Sequence, residues 1–138
     1  MTTHRATCQC GSLKAVLNGD PDFVIVCNCQ ACQKRTGAPF GTGAYFRKTQ
    51  MTAEGPMSSW GRIAETGRKI ENFFCPTCGT TLYWTLEMRP DYIGLGYGLF
   101  ETDLPDPVRV IWTEEQHHWA GFPEEWPRFP KGSPEPAS

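Results

Sequence analysis

The segment Cys27-Asn28-Cys29-Gln30-Ala31-Cys32 places three cysteines within six residues. The other four cysteines of the chain form two doublets, Cys8-Gln9-Cys10-Gly11 before the segment and Cys75-Pro76-Thr77-Cys78-Gly79 after it. None of the seven stands alone. In an extended strand residues i and i+2 point to the same side, so C-x-C aims two sulfurs at one point. C-P-x-C-G does the same from a tight turn, where Pro fixes one φ and Gly accepts the positive φ that closes the loop.

Sulfurs converging in this way are metal ligands. Structural zinc prefers four thiolates in a closed tetrahedron, and Cys8, Cys10, Cys75 and Cys78 supply that number. Cys27, Cys29 and Cys32 then supply three, with the fourth position left to water or substrate, which is the pattern of catalytic zinc. Two zinc ions per chain are therefore expected. Spacing alone does not force the division into four and three, because Cys29-x-x-Cys32 could join Cys75-x-x-Cys78 in a zinc ribbon that strands Cys8, Cys10 and Cys27. Seven buried cysteines acting as small hydrophobes is a weaker alternative. Weaker still is a thioredoxin-like redox pair, since no βαβ pattern surrounds either C-x-x-C.

The rest of the composition agrees with a metal-stapled domain. A chain of 138 residues and 15.5 kDa suits one domain. Its 13 Lys and Arg against 15 Asp and Glu carry no basic excess that would point to nucleic acid or an anionic membrane. The odd cysteine count argues against a disulfide framework. No apolar leader opens the chain, and no run approaches the roughly 18–20 apolar residues of a membrane span, so a cytoplasmic protein is expected.

With 12 Pro and 14 Gly, regular structure is interrupted often, which favours short strands over a helical bundle. Ser12–Asn18 alternates Leu13, Ala15 and Leu17 with Lys14, Val16 and Asn18, as a half-buried strand does. After Gly19-Asp20-Pro21, the β-branched run Asp22–Cys27 reads as a second strand, expected to pair with the first as a hairpin. Gln30–Thr36 reads as one or two helical turns stopped by Gly37 and Pro39. Further strands are expected at Gly43–Arg47, Arg68–Phe74, Thr81–Leu86, Tyr92–Tyr97 and Val108–Trp112. The fold class is all-β, with small antiparallel sheets. The domain spans residues 1–126, and the Pro-rich stretch 127–138 is expected to be a flexible tail.

The ordered motifs CQCG, CNCQACQKRTGAPF and FFCPTCGTTL, with Pro107, Trp119 and Phe122-Pro123 after them, resemble the glutathione-dependent formaldehyde-activating enzyme family, whose domain is shared by centromere protein V-like proteins. The resemblance implies an Mss4-like, zinc-stabilised fold. It implies a structural zinc on Cys8, Cys10, Cys75 and Cys78 and a second zinc on Cys27, Cys29 and Cys32. It further implies a carbon–sulfur lyase that joins glutathione to formaldehyde as S-hydroxymethylglutathione. The chain departs from the family pattern at Asn28 and Val110, where His is common, and at Gln33, where Arg is common.

The chemistry of the triplet accommodates that reaction, since a thiol entering the fourth position would lose its proton and become a nucleophile for an aldehyde carbon. An anionic thiol needs local cations, and Lys34 and Arg35 stand beside Cys32 to bind it, or else form a solvated face. His4, His117 and His118 are lesser metal-ligand candidates, His4 because it lies in an expectedly mobile terminus. Tyr45, Tyr83, Tyr97 and Glu114 are candidates for the acid or base. Gly94-Leu-Gly-Tyr-Gly98 lacks the helix and Lys-Ser/Thr pair of a phosphate loop and reads as a strand whose glycines admit close approach. Of Trp60, Trp84, Trp112, Trp119 and Trp126, one or two are expected to line a pocket near the metal. The rival to an enzyme is a non-catalytic zinc-binding interaction module.

Overall fold

A computed structural model describes residues 2–133. β1 (Thr3–Thr7), β2 (Lys14–Asn18) and β5 (Met51–Glu54) form a three-stranded antiparallel sheet in the order β1-β2-β5. A seven-stranded sheet is assembled from β3 (Phe23–Cys27), β4 (Gly41–Arg47), β6 (Ser58–Ile63), β7 (Lys69–Phe74), β8 (Thr81–Leu86), β9 (Tyr92–Gly96) and β10 (Arg109–Ile111). Its order is β10-β3-β4-β9-β8-β7-β6. The helical content is α1 (Gln30–Thr36) and three single 3-10 turns at Lys48–Gln50, Tyr97–Leu99 and Thr113–Glu115. The expected all-β class is present. Its pairing is antiparallel except at β10, which runs parallel to β3.

The two sheets bury one apolar layer between them. β2 contributes Ala15 and Leu17, with Leu13 just before it, and the larger sheet answers with Val24, Ala44, Phe46, Leu82, Ile93 and Leu95. Burying the Val, Leu, Ile and Phe side chains among these contributes about 1.5–3 kcal/mol each, so this layer is the main apolar contribution to the fold. Strand alternation sends the neighbours of these residues to the opposite face of the larger sheet. Phe23, Ile25 and Cys27 of β3 and Tyr45 of β4 therefore face away from the small sheet, onto a cavity. In β8 the register slips, pairing Phe73 with Tyr83 but Phe74 with Thr81. The extra residue puts Leu82 into the core while Trp84 reaches the cavity face.

The hairpin expected between β2 and β3 does not form. β2 pairs with β1 and β5, and β3 with β4 and β10, so the Gly19 turn, at φ 89°, carries the chain from one sheet to the other. The reason lies in the residues. β2 is apolar on one face only, whereas Val24, Ile25 and Val26 are all buried, which requires a strand covered on both faces and flanked on both edges.

The N-terminus is likewise ordered as β1, with His4 only 1% exposed. It hydrogen-bonds Thr102 Oγ1 at 2.6 Å and Asp20 at 2.7 Å and packs edge-on to Phe46 and Phe100. Two further strands, β5 and β6, had no clear sequence signal. α1 has the expected bounds, capped by the Cys29 sulfur at its start and by Gly37 at φ 67° at its end. Of the Pro-rich stretch, Pro127, Phe129 and Lys131 bond β10 and Trp112 through backbone bonds of 2.8–3.0 Å. Residues 134–138 lie outside the described residues. Among the described residues no helix is long and apolar enough to cross a membrane.

Candidate metal centres

Two groups of cysteines converge among the described residues, and they divide the seven as four and three. Cys8 and Cys10 leave β1, and Cys75 and Cys78 occupy the β7–β8 loop, whose Gly79 takes φ 82° as the motif requires. The Cys8 and Cys10 sulfurs are 3.7 Å apart, as are those of Cys10 and Cys75. A tetrahedral zinc with Zn–S bonds of about 2.3 Å sets its sulfurs about 3.8 Å apart, so this group has the size the ion requires.

Donors surround these sulfurs. The Leu13 amide donates to Cys8 at 3.3 Å, and the Thr77 and Cys78 amides donate to Cys75 at 3.4 and 3.5 Å. Ser12 Oγ lies 3.1 Å from the Cys10 sulfur, and Thr80 Oγ1 lies 3.3 Å from that of Cys78. The Thr80 hydroxyl and amide lower the Cys78 thiol to about 5. The Ser12 hydroxyl, then the Cys78 amide, lower Cys75 to about 7. Both thiols are thus poised as thiolates, the form that binds metal.

Cys27 ends β3, Cys29 caps α1 and Cys32 lies in its first turn, so a strand end and a helix start bring the three sulfurs within 4.8 Å of one another. Hydrogen bonds from Cys27 and Cys32 hold Cys29 as a thiolate, at about 2. The same bonds, with burial, push Cys27 far up. Cys29 is thus the sulfur of the three that ionises most readily, and a divalent cation would allow the others to ionise.

The triplet is pinned from β10 and the turn after it. Asn28 donates both its amide, at 3.1 Å, and Nδ2, at 3.0 Å, to Ile111 O. Gln33 Nε2 donates to Asn28 O at 2.8 Å and Glu115 O at 3.2 Å, and Gln30 N donates to Glu115 at 2.7 Å. Asn28 Oδ1 is buried without a partner.

Cys27, Cys29 and Cys32 open onto a cavity of about 660 Å³, which the other four cysteines do not line. Its floor is Trp84, over whose ring the Arg35 guanidinium carbon sits at 4.2 Å from the centroid. Trp84 Nε1 donates to Tyr45 OH at 3.4 Å. Burial, then the charge of Cys32, pushes the Tyr45 phenol up, so it stays protonated. Gly43 and Gly94 make room for the indole, the close approach expected of the glycines near 94–98.

Of the sequence candidates, Arg35 lines this cavity, whereas Lys34 stands exposed on α1 outside it. Tyr45 lines it, Tyr97 lines a separate cavity, and Tyr83 and Glu114 line neither. Trp84 and Trp112 are the tryptophans on its wall. No histidine belongs to either cysteine group. His117 instead stacks on Trp119 at 5.6 Å and bonds Gln33 at 2.8 Å. Arg62 of β6 and Arg109 of β10 also face the cavity, although nothing in the sequence singled them out.

No curated protein matches the chain significantly in sequence. In fold it is similar to a Rhodobacter sphaeroides protein solved by crystallography as a structural-genomics target, with a TM-score of 0.58 at 19% identity over 73% of this chain and 91% of that one. Residues 3–115 match the model of the glutathione-dependent formaldehyde-activating enzymes, a span that includes both cysteine groups and most of the cavity wall. The chain belongs to the glutathione-dependent formaldehyde-activating enzyme family.

Proposed function

We propose that the protein is a zinc-dependent carbon–sulfur lyase that adds a thiol such as glutathione to formaldehyde or a related aldehyde. The observation that carries this reading is the asymmetry of the two cysteine groups: all three residues of one line a cavity of about 660 Å³, whereas of the other four only Cys78 lines a cavity, a separate one of about 470 Å³. Cys8, Cys10, Cys75 and Cys78 would hold a structural zinc, and Cys27, Cys29 and Cys32 a second. When bound by three thiolates, that ion would supply a Lewis acid, softened by their charge, with one position left for a thiol or a carbonyl oxygen.

The chain's own groups do the rest. Arg35, held over Trp84, meets the carboxylate of an anionic thiol, and Lys34 adds positive charge from the surface nearby. Tyr45, kept protonated by burial, donates to the aldehyde oxygen as it gains charge. In the addition the thiol sulfur bonds the carbonyl carbon, the C=O π pair moves to oxygen, and that oxygen takes a proton while the thiol's own proton leaves to water. The product is an S-hydroxyalkyl thioether, and the reverse reaction breaks its carbon–sulfur bond.

The test is adduct formation from glutathione and formaldehyde, followed by NMR, with the zinc-loaded protein. A rate above the uncatalysed one, lost in Cys29→Ser and reduced at least tenfold in Tyr45→Phe, is expected. A rate equal to the uncatalysed one refutes the reading.

A further inference from the structure

The cavity beside Cys27, Cys29 and Cys32 has more arginines than the thiol carboxylate placed on Arg35 can use, and more apolar wall than formaldehyde can cover. Seven of the chain's 13 lysines and arginines line it, against two of its 15 acidic residues, Glu65 and Glu115. Ion pairs account for some of these cations, with Lys131 on Glu65 at 3.8 Å and Lys69 on Glu71 at 3.6 Å. Arg35, Arg62, Arg68 and Arg109 have no carboxylate within 4 Å among the described residues. Arg35, Arg62 and Arg109 come from α1, β6 and β10, so the tertiary fold and not a local charge run gathers them. Arg62 and Arg35 neighbour the Cys29 and Cys32 sulfurs, and cations collected beyond them in a concave, partly apolar surface repel one another and favour an anion between them.

Between the arginines the wall is apolar. Phe23 stacks on Tyr45 at 5.2 Å, and Ile25, Trp84, Leu86 and Ile111 continue the surface. Trp112 completes it from a left-handed backbone at φ 58°, the only non-glycine with positive φ among the described residues. A bulky residue adopts that region only where surrounding structure holds it, and such strain clusters at ligand clamps. Here the hold is two backbone bonds, from Trp112 N to Lys131 O at 2.9 Å and from Glu115 N to Trp112 O at 3.0 Å.

We infer that this cavity binds a carboxylate carried on an aromatic or bulky aliphatic body, the carboxylate on the arginines and the body against Trp84, Phe23 and Trp112. It follows, on the reading of the cavity as the site of reaction, that the aldehyde or adduct handled by this protein belongs to that class. Arginine forks match carboxylate geometry, and a cavity of several hundred Å³ suits a ligand far larger than formaldehyde.

The test is calorimetric titration of the zinc-loaded protein with 3-phenylpropanoate, which has both body and charge, with 3-phenylpropan-1-ol, which has the body alone, and with acetate, which has the charge alone. Phenylpropanoate is expected to bind at least about tenfold more tightly than either. Arg62→Gln and Arg109→Gln should each weaken it about threefold to tenfold without changing the weak binding of the alcohol, and the exposed Lys48→Gln should leave it unchanged. Equal binding of the acid and the alcohol, or full affinity in both arginine variants with an unchanged unfolding midpoint, overturns the inference. The titration involves no turnover. Binding of phenylpropanoate by a protein that forms no adduct would sink the lyase reading alone, and adduct formation without such binding would sink this inference alone.

Discussion

Gly94 of β9 lies directly beneath Trp84 of its neighbour β8: a Cβ built on the glycine would meet the indole nitrogen at 2.3 Å. Gly43 leaves room on the other side, where a Cβ would come within 2.9 Å of the same ring. The indole can lie flat on the sheet only because two neighbouring strands present bare backbone, and it then carries Arg35 on its outer face.

Gly94→Ala should therefore displace Trp84, because the obstacle is a ring seated on backbone and not the end of a flexible chain. Overpacking of this kind costs about 1–3 kcal/mol, expected as a lower denaturation midpoint with a shift in tryptophan emission. An unchanged midpoint and spectrum would mean that the indole does not rest on β9.

The two cysteine groups should respond differently to loss of one sulfur. Cys78→Ser opens the four-sulfur group that joins the small sheet to the β7–β8 loop, and should unfold the domain or lower its stability by several kcal/mol. Cys29→Ser should lower the zinc content from near two to near one with the fold retained, because Ser can also cap α1. Metal analysis with circular dichroism decides, and equal unfolding by both variants would rule out the open-site role of the triplet.

The metal-free protein should lose stability on acidification. Cys78, at about 5, and Cys75, at about 7, lie below the ordinary thiol value of 9.0. A depressed folded-state pKa gives stability that is fully present above 9 and is lost as the pH falls through 7 and then 5. With chelator present, the unfolding midpoint should decline from pH 9 to pH 5, and Thr80→Val should move the decline to higher pH by removing the hydroxyl beside Cys78. A profile flat across this range, or unaltered in Thr80→Val, contradicts the assignment.

Asn28→Asp changes one atom and should be severe. It replaces the Nδ2 donor, 3.0 Å from Ile111 O, with an acceptor, and places a buried carboxylate between Cys27 and Cys29. Burying an uncompensated charge and opposing two acceptors costs about 3 kcal/mol or more. Thermal denaturation and zinc content should both fall. Wild-type values for both would show that the side chain can turn to water.

The grouping of the sulfurs, the bounds of α1 and most strands of the larger sheet were legible in the chain, because each depends on interactions a few residues apart. Cys27 and Cys29 share a direction by strand geometry, and Gly37 ends the helix by its own φ. β5 and β6 were not legible. Their burial patterns are weak, β6 being almost wholly exposed on the edge of its sheet, so no apolar alternation marks them. β1 was missed because His4, a polar residue, occupies a core position through its bonds to Thr102 and Asp20.

Sequence by itself thus determined the all-β class, the spacing of the sulfurs and the local turns that aim them, since these follow from backbone geometry within each motif. Only the tertiary structure decided that β2 and β3 part into different sheets, that β10 lies parallel to β3, and that Arg62, Arg109, Trp84 and Trp112 surround the triplet. Those relations join residues tens of positions apart. They are set by which faces the two sheets bury against each other, and no short stretch of chain contains that information.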